Sequence, residues 1–374
     1  MDHGLWTMNQ ELKYQLALTH VPNIGPVQAK ILLQHFNVEE IFNAKQLELE
    51  RIEGIGTIRA RSIKAFTGFS KAEDEIRFIE KYKIRPLFLT DPDYPKRLLN
   101  CYDPPTLLFY KGTADLNASR IVAIVGTRNN TDYGKKITEK IVAGLATQNI
   151  ILVSGLAFGI DSIAHKAAIK NNIPTVGVVG HGLDTIYPPG NAGLAKEMIR
   201  EGGGILTQFP SNTSPDKHNF PIRNRIVGGL ADATVIVETA IKGGSMITAE
   251  MANGYNRDVF AVPGRTTDNK SSGSNHLIRT NKAVLLTDVQ ELIELMGWDE
   301  KPVSKKIKKQ KELFVELSKE EQIIIDILTE KETVSIDEIN LNSGLSSSAV
   351  AGALLNLELQ GVIASLPGKL YRLN

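Results

Sequence analysis

Glycine-rich turns follow several apolar segments of this sequence, and some of them also carry arginine. The segment Arg120–Val125 runs into Gly126-Thr127-Arg128, and Ile150–Val153 runs into a turn that contains Gly155 and Gly159. Glycine lets a backbone approach a ligand closely, and the free N–H groups at the start of a following helix attract anions. An arginine at the same edge can bind a phosphate through two hydrogen bonds. These turns therefore indicate an anion-binding surface.

A third turn holds a second group of basic residues. Phe220 and a proline precede Arg223, Asn224 and Arg225, at the start of a helix that then becomes apolar. The two arginines leave a helix about 200° apart, so they do not share a face. One of them could contact a ligand while the other forms a structural ion pair. Taken alone, such a pair is more typical of a solvated basic turn than of a binding site.

A fourth turn precedes another predicted helix. Gly243 and Gly244 offer close backbone approach, and Ser245 is expected to cap the helix that follows. Any single turn of this kind can be glycine-rich for steric reasons alone. Four such turns, two of them with arginine, predict a local positive surface.

Charge and composition limit what this surface can be. The chain has 374 residues and a net charge of +1, so it would hold a polyanion through a local concentration of Arg and Lys. The single cysteine, Cys101, excludes an internal disulfide and a cysteine-rich zinc site, and no metal or other cofactor is expected. No apolar run reaches the ~20 residues of a membrane span. The start of the chain lacks an export signal, so we expect a cytoplasmic protein.

Strands and helices alternate through the middle of the chain. Most strand candidates are continuous apolar runs, which are typical of strands buried on both faces. Alternation predicts an α/β domain with a doubly wound parallel sheet, whose ligands bind at the carboxyl ends of the strands. The predicted strands are Arg120–Val125, Ile150–Val153, Thr175–Val179, Gly204–Gln208, Thr234–Val237, Val259–Val262 and Val284–Leu286. The predicted helices lie near 132–148, 161–171, 191–201, 222–230, 245–256 and 288–296.

Changes in composition divide the chain into four predicted parts. Residues 1–80 form a small helical domain, 81–297 the α/β domain, 298–315 a basic linker, and 316–374 a winged-helix-like domain. The recognition helix expected in the last part begins near Ser346 and has no Arg or Lys. Strong binding in a DNA major groove is therefore not expected from it. The linker lysines are Lys301, Lys305, Lys306, Lys308, Lys309 and Lys311.

Two hairpins near the N-terminus resemble helix-hairpin-helix elements. Val21–Pro26 and Ile52–Gly56 each precede a helix, and the second helix carries Arg59, Arg61 and Lys64. In such elements the backbone N–H groups of the glycine turn contact DNA phosphates. A small packed helical domain with tight turns, without DNA contact, explains the same pattern.

Five ordered motifs resemble the DNA-processing protein A family (DprA, also called Smf). They cover about residues 120–285, and the helical and winged-helix parts on either side also agree with this family. The family's Gly-Ser-Arg turn is Gly-Thr-Arg here, which keeps the hydroxyl, and a lysine of some members is absent after Tyr187. The motifs are VGTRNNTDYG, SGLAFGIDSIAHKAAI, GHGLDTIYPPGN, HNFPIRNRIVGGLADATVIVETAIKGGSMITAEMANGYNRDVFAVPG and SGSNHLIRTNKA.

This resemblance implies an extended Rossmann-like fold that binds single-stranded DNA at the turns described above. It also implies a homodimer that protects incoming DNA during natural transformation and loads the recombinase RecA, without catalysing a reaction. Phosphates would meet backbone N–H groups and arginines, and an aromatic ring could stack on a base. The DNA-contacting residues implied are Gly126, Arg128, Gly155, Gly159, Phe220, Arg223, Asn224, Arg225, Gly243, Gly244 and Ser245.

Other classes of function remain open. The Gly-Gly-Ser turn and its helix also resemble LOG-type nucleoside monophosphate phosphoribohydrolases, with Glu250 as the carboxylate and Arg225 holding a 5′-phosphate. That family's Pro-Gly-Gly is Lys242-Gly243-Gly244 here, and the flanking domains would have no role. NAD binding lacks its G-x-G-x-x-G fingerprint. A scaffold that binds RecA with a vestigial DNA site is the third class.

Overall fold

A computed structural model describes residues His3–Asp299, Leu317–Lys331 and Thr333–Asn374. The chain forms two compact units, Met1–Leu285 and Leu286–Asn374, and each is described by itself. The lysines of the predicted linker lie outside the described residues. The boundaries of the four predicted parts stay predictions.

Short helices form the first part of unit 1, around an apolar core that includes Leu32, Ile41 and Ile63. Their ends follow local capping rules. Asn37 caps α3 by accepting the N–H of Glu40 (2.9 Å), and the Glu40 carboxylate accepts the N–H of Asn37 (2.9 Å). The helices are α1 His3–His20, α2 Pro26–Leu33, α3 Val38–Asn43, α4 Gln46–Glu50, α5 Gly56–Lys64 and α6 Phe69–Tyr82.

A nine-stranded sheet forms the centre of unit 1, in the order β1-β2-β6-β5-β4-β3-β7-β8-β9. From β6 to β9 in this order all neighbours are parallel, and β4 to β7 are buried at every residue. The strands are β1 Arg85–Phe88, β2 Leu107–Gly112, β3 Ile121–Gly126, β4 Ile151–Ser154, β5 Thr175–Val178, β6 Gly204–Thr207, β7 Ala233–Val237, β8 Asp258–Ala261 and β9 Val284–Leu285.

The seven predicted strands are present, with ends within one residue of the prediction. These seven strands pair parallel to one another, as predicted, and two further strands extend the sheet at one edge. There β1 and β2, which the prediction did not include, pair antiparallel with each other, and β2 pairs antiparallel with β6. The sheet is therefore mixed, with a parallel centre.

Helices connect the parallel strands, and of the predicted helices only the one expected from 222 begins more than one residue from its predicted start. Ser245 does not cap its helix, because Gly243 occupies the N-cap position. The helix predicted from 222 begins three residues earlier and takes Pro221 into its first turn, where a missing N–H costs little. The helices are α7 Lys96–Leu99, α8 Asp132–Gly144, α9 Ile160–Lys170, α10 Ala192–Arg200, α11 Asn219–Leu230, α12 Gly244–Gly254 and α13 Ser272–Arg279.

Unit 2 contains a short helix, followed in the chain by a module of three helices and three strands. Its sheet is antiparallel in the order β10-β12-β11, and its core includes Ile324, Val350 and Leu357. Its elements are α14 Val289–Leu295, α15 Lys319–Thr329, β10 Val334–Ser335, α16 Ile336–Ser343, α17 Ser347–Leu359, β11 Ile363–Leu366 and β12 Leu370–Leu373. Among the described residues of both units, no helix is long and apolar enough to cross a membrane.

Candidate nucleic-acid interface

Four turns meet at the carboxyl ends of the parallel strands. They comprise residues 126–131, 154–160, 218–225 and 238–245, and we call the surface they form the turn surface. Hydrogen bonds tie neighbouring turns together: Thr127 accepts the N–H of Ile160 (3.2 Å) and donates its own N–H to the carbonyl of Glu238 (2.8 Å). The predicted common edge therefore exists, and the ligand position expected for a doubly wound sheet lies here.

The turn after β4 is built around a buried arginine. Arg223 is only 5% exposed, and its guanidinium lies beside Gly155 and the carboxylate of Asp161. A Cβ on Gly155 would overlap both groups, so a glycine is required there. Burial raises the pKa of Asp161, and the Arg223 charge opposes this rise. The Nε of Arg223 has no hydrogen-bond partner, so this cation is incompletely satisfied under the turn.

Gly159 fixes the approach of the β4 turn to the β3 turn. Its φ of 78° lies in the left-handed region, and a Cβ would overlap the backbone of Thr127 and Arg128. Gly126 is likewise confined, by the carbonyl of Val237. These glycines thus have a packing role, which is the steric explanation that the sequence left open.

Two buried histidines lie near this arginine and are held in fixed hydrogen bonds. The hydroxyl of Thr175 donates to a backbone carbonyl (3.2 Å), so its oxygen accepts from Nδ1 of His165 (2.6 Å). Burial, together with Arg223, lowers the pKa of His165 to about 3, so it is neutral at pH 7. His181 accepts the N–H of Tyr187 at Nε2 (3.1 Å), which fixes the loop that follows β5.

Aromatic rings and an exposed arginine lie at the outer part of the turn surface and beside it. The guanidinium carbon of Arg128 lies 5.0 Å from the ring centroid of Phe220. The ring centroid of Tyr187 lies 6.1 Å from that of Phe220, and the two ring planes are tilted. Tyr187 and Phe158 are 43% and 51% exposed. A planar cation and accessible rings in one place can bind a phosphate and stack on bases.

Arg225 faces away from Arg223, as the spacing predicts, and its partners lie inside the protein. Its Nη1 lies 3.1 Å from a carboxylate oxygen of Asp103 and also donates to the Asp103 carbonyl, and its Nη2 donates to Gln208 (2.6 Å). Only 8% of its side chain is exposed. This arginine therefore forms the structural ion pair expected of one member of the pair, and its contact with DNA stays a prediction.

The remaining predicted residues join the third and fourth turns. Asn224 donates to the carbonyl of Gly244 (3.2 Å), and Ser245 is buried with no partner for its hydroxyl. Gly243 has no room for a Cβ beside Thr239, whereas Gly244 faces open space. Gly244 is thus the glycine of this turn at which a ligand could approach the backbone.

Three family models match the chain. DNA recombination-mediator protein A matches residues 85–297, the DprA winged helix domain 311–369, and a SAM-like helix-hairpin-helix tandem 16–66. Protein Smf of Synechocystis sp. is 34% identical over 97% of this chain and 99% of its own length. The chain belongs to the DNA recombination-mediator protein A family. The resemblance and the predicted fold class are confirmed.

Solved structures of this family share the fold. DNA processing protein A (DprA) from Streptococcus pneumoniae superposes with a TM-score of 0.64 at 34% identity, covering 75% of this chain and 95% of that one. DNA processing protein A from Helicobacter pylori, whose single-stranded DNA binding mode has been described, gives 0.51 at 32% identity, covering 57% and 94%.

Sequence reasoning missed two aromatic residues, one in the turn surface and one beside it. Phe158 was seen only as part of a glycine turn, and Tyr187 only as a neighbour of a proline pair. The available signal was an aromatic residue inside or beside a turn at a strand end. Whether such a ring points into the core or outward depends on the fold, so the signal alone could not decide.

The N-terminal hairpins begin α2 and α5, and three of the groups that could bind phosphates there have partners within the chain. Arg59 donates to a carbonyl of its own hairpin (3.0 Å), and Lys64 donates to a carbonyl near the end of α3 (2.6 Å). The N–H of Gly25 donates to the side chain of Gln28 (3.2 Å). These contacts favour the packed-domain interpretation of the hairpins.

The helical part also holds the loop that leads to Phe220. Glu75, on α6, is buried, and its carboxylate accepts the N–H of Ser211 (3.0 and 3.1 Å) and the Ser211 hydroxyl (2.6 Å). Asp184 accepts the N–H of the next residue, Asn212 (2.9 Å). The loop between β6 and α11 is therefore fixed from both sides.

We expect Glu75→Ala to lower the free energy of unfolding by about 1–3 kcal/mol, because the half-buried Ser211 loses the acceptor of its N–H and of its hydroxyl. Urea unfolding of the full chain measures this. The matched control is Glu73→Ala, whose carboxylate is on the same helix but exposed and paired with Lys13, and it should leave the midpoint unchanged. Equal midpoints for wild type and Glu75→Ala would show the prediction wrong.

Proposed function

We propose that this protein binds single-stranded DNA at the turn surface and acts by binding rather than by catalysis. The observation that carries the proposal is the exposed Arg128 over the ring of Phe220, with Tyr187 accessible beside that ring and Phe158 exposed in the turn after β4. Unpaired bases offer faces that aromatic rings and guanidinium planes can stack on, which bases inside a duplex do not.

The charge arrangement supports a contact with the sugar–phosphate backbone. Arg128 is exposed, the buried Arg223 adds positive potential beneath the turn, and Lys217 and Lys242 are exposed at neighbouring turns. Phosphate and stacking contacts carry little sequence information, so weak sequence preference is expected. The relative from Helicobacter pylori with a described single-stranded DNA binding mode supports the same assignment.

Fluorescence anisotropy of labelled oligo-dT and of a duplex of equal length, titrated with the full chain at several salt concentrations, tests the proposal. Binding that is stronger for the single strand, with an affinity that falls linearly on a log–log salt plot, is the expected result. Equal affinity for both, or no binding to oligo-dT, contradicts it.

We further propose that the protein is a cytoplasmic homodimer that protects incoming strands and loads the recombinase RecA. The proposal rests on the family's implied role. It is also supported by β9, an edge strand whose Val284 and Leu285 are 46% and 44% exposed, since exposed apolar edges favour pairing with another chain. Light scattering should give about twice 41.0 kDa. Faster RecA filament formation on protein-coated single strands tests loading, and an unchanged rate contradicts it.

The phosphoribohydrolase alternative is not favoured. Its candidate carboxylate, Glu250, lies on the exposed side of α12 and holds Lys282 through both oxygens (2.8 and 3.0 Å). Both side chains are nearly half exposed, which is typical of a surface ion pair.

We expect Glu250→Ala to leave oligo-dT binding unchanged, and wild type to release no base from AMP. Chromatography of AMP incubated with either protein measures the second point. Base release by wild type that disappears in Glu250→Ala would instead establish the hydrolase.

A further inference from the structure

Glu238, the first residue after β7, is a buried acid at the centre of the turn surface. The residue is 4% exposed, and its φ of 50° lies in the left-handed region that residues other than glycine rarely adopt. Such a conformation persists only where the surrounding structure holds it. Here the carbonyl of Glu238 accepts the N–H of Thr127 (2.8 Å).

The carboxylate of Glu238 lies against the first turn of α8. It accepts the N–H of Thr131 (2.9 Å) and also the hydroxyl of Thr131, which is the N-cap residue of this helix. A Cβ on Gly134, in the same turn, would overlap the carboxylate. The side chain therefore occupies the place where the positive end of the helix and its free N–H groups attract an anion.

A doubly wound fold uses this same place for a ligand phosphate. The strand order reverses at β3, because β4, the next strand in the chain, pairs on one side of it and β7 pairs on the other. Phosphates bind beside the helix that begins at such a switch point. In this chain the position is filled by its own carboxylate. The two residues anchored on Glu238, Thr127 and Thr131, flank Arg128 on both sides.

We propose that Glu238 is a built-in anion that excludes a nucleotide phosphate from the start of α8 and holds the Arg128 turn toward single-stranded DNA. Glu238 is thus a positioning residue, acting on DNA through Arg128. The exclusion of a phosphate follows from the geometry alone. The effect on DNA rests on the proposed function.

A double-mutant cycle tests the positioning role. Oligo-dT binding is measured for the full chain with Glu238 or Glu238→Ala, each with and without Arg128→Ala. Arg128→Ala is expected to weaken binding about tenfold in the first background and by less than about twofold in the second, where the turn is no longer held. The same factor in both backgrounds overturns the positioning role. Glu250→Gln, on the surface of α12, is the matched control and should keep the tenfold effect.

Glu238→Gln keeps one acceptor for Thr131 but loses the charge and the second hydrogen bond. In the Glu238→Gln background, Arg128→Ala is expected to weaken oligo-dT binding by a factor between those of the other two backgrounds. If Glu238→Ala does not fold, the full tenfold loss in the Glu238→Gln background overturns the positioning role.

Isothermal titration with inorganic phosphate and with AMP tests the exclusion of a phosphate. Binding by Glu238→Ala and none by wild type supports it, and equal heats for both overturn it. If wild type fails to bind oligo-dT, the proposed function fails, while the phosphate titration still decides the exclusion.

Discussion

Arg128→Ala should weaken binding of oligo-dT about tenfold while leaving the stability of the fold unchanged. The side chain is exposed, and its described contact is with the face of Phe220, so its removal leaves no buried partner without a hydrogen bond. One phosphate contact fewer should also lower the slope of log affinity against log salt by ~0.7. Anisotropy titrations at four or five salt concentrations give both quantities.

Two control variants separate the contributions to DNA binding. One separates the charge of Arg128 from its stacking on Phe220, and the other tests the general effect of removing a surface arginine. Arg128→Lys keeps the charge but loses the planar guanidinium over Phe220, so it should retain the salt slope and lose part of the affinity. Arg200→Ala removes a surface arginine at the end of α10, at the amino ends of the parallel strands and away from the turn surface. It should change neither the affinity nor the salt slope. Wild-type affinity and slope in Arg128→Ala would place the DNA site elsewhere in the chain.

The centre of the fold could be predicted from the sequence because its strands are buried on both faces. Such strands are continuous apolar runs, and the turns between them are marked by glycine, so β3 and β4 and the turns after them were found nearly to the residue. The antiparallel edge was not found. β1 contains Pro86 and is only four residues long, and its place beside β2 depends on pairing that no local pattern records.

The position of the turn surface in the fold could be predicted, but the surroundings of its arginines could not. Spacing along α11 was enough to separate the directions of Arg223 and Arg225. It could not reveal that both are buried, because their acidic neighbours, Asp161 and Asp103, come from distant parts of the chain. Local sequence records the charge of a residue, whereas its partner and its exposure are set by the tertiary fold.

Arg225→Ala, unlike Arg128→Ala, should destabilise the fold, with a loss of about 3–5 kcal/mol in the free energy of unfolding. The substitution removes one member of a buried ion pair and leaves the Asp103 carboxylate with the Tyr255 hydroxyl (2.6 Å) but without its cation. It also removes the donor to Gln208, at the start of the loop that leads to Phe220. Urea or thermal unfolding of the full chain measures the loss.

The same variant decides whether Arg225 also contacts DNA. Because the loss comes from an unpaired carboxylate, adding Asp103→Ala should restore part of the stability, whereas Arg200→Ala, at an exposed ion pair, should lose none. Below its unfolding transition, Arg225→Ala should keep the wild-type salt slope, since its guanidinium faces Asp103 and Gln208 rather than the turn surface. A slope lower by ~0.7 in the folded variant would instead make Arg225 a phosphate contact, and the ion pair with Asp103 would then have to open when DNA binds.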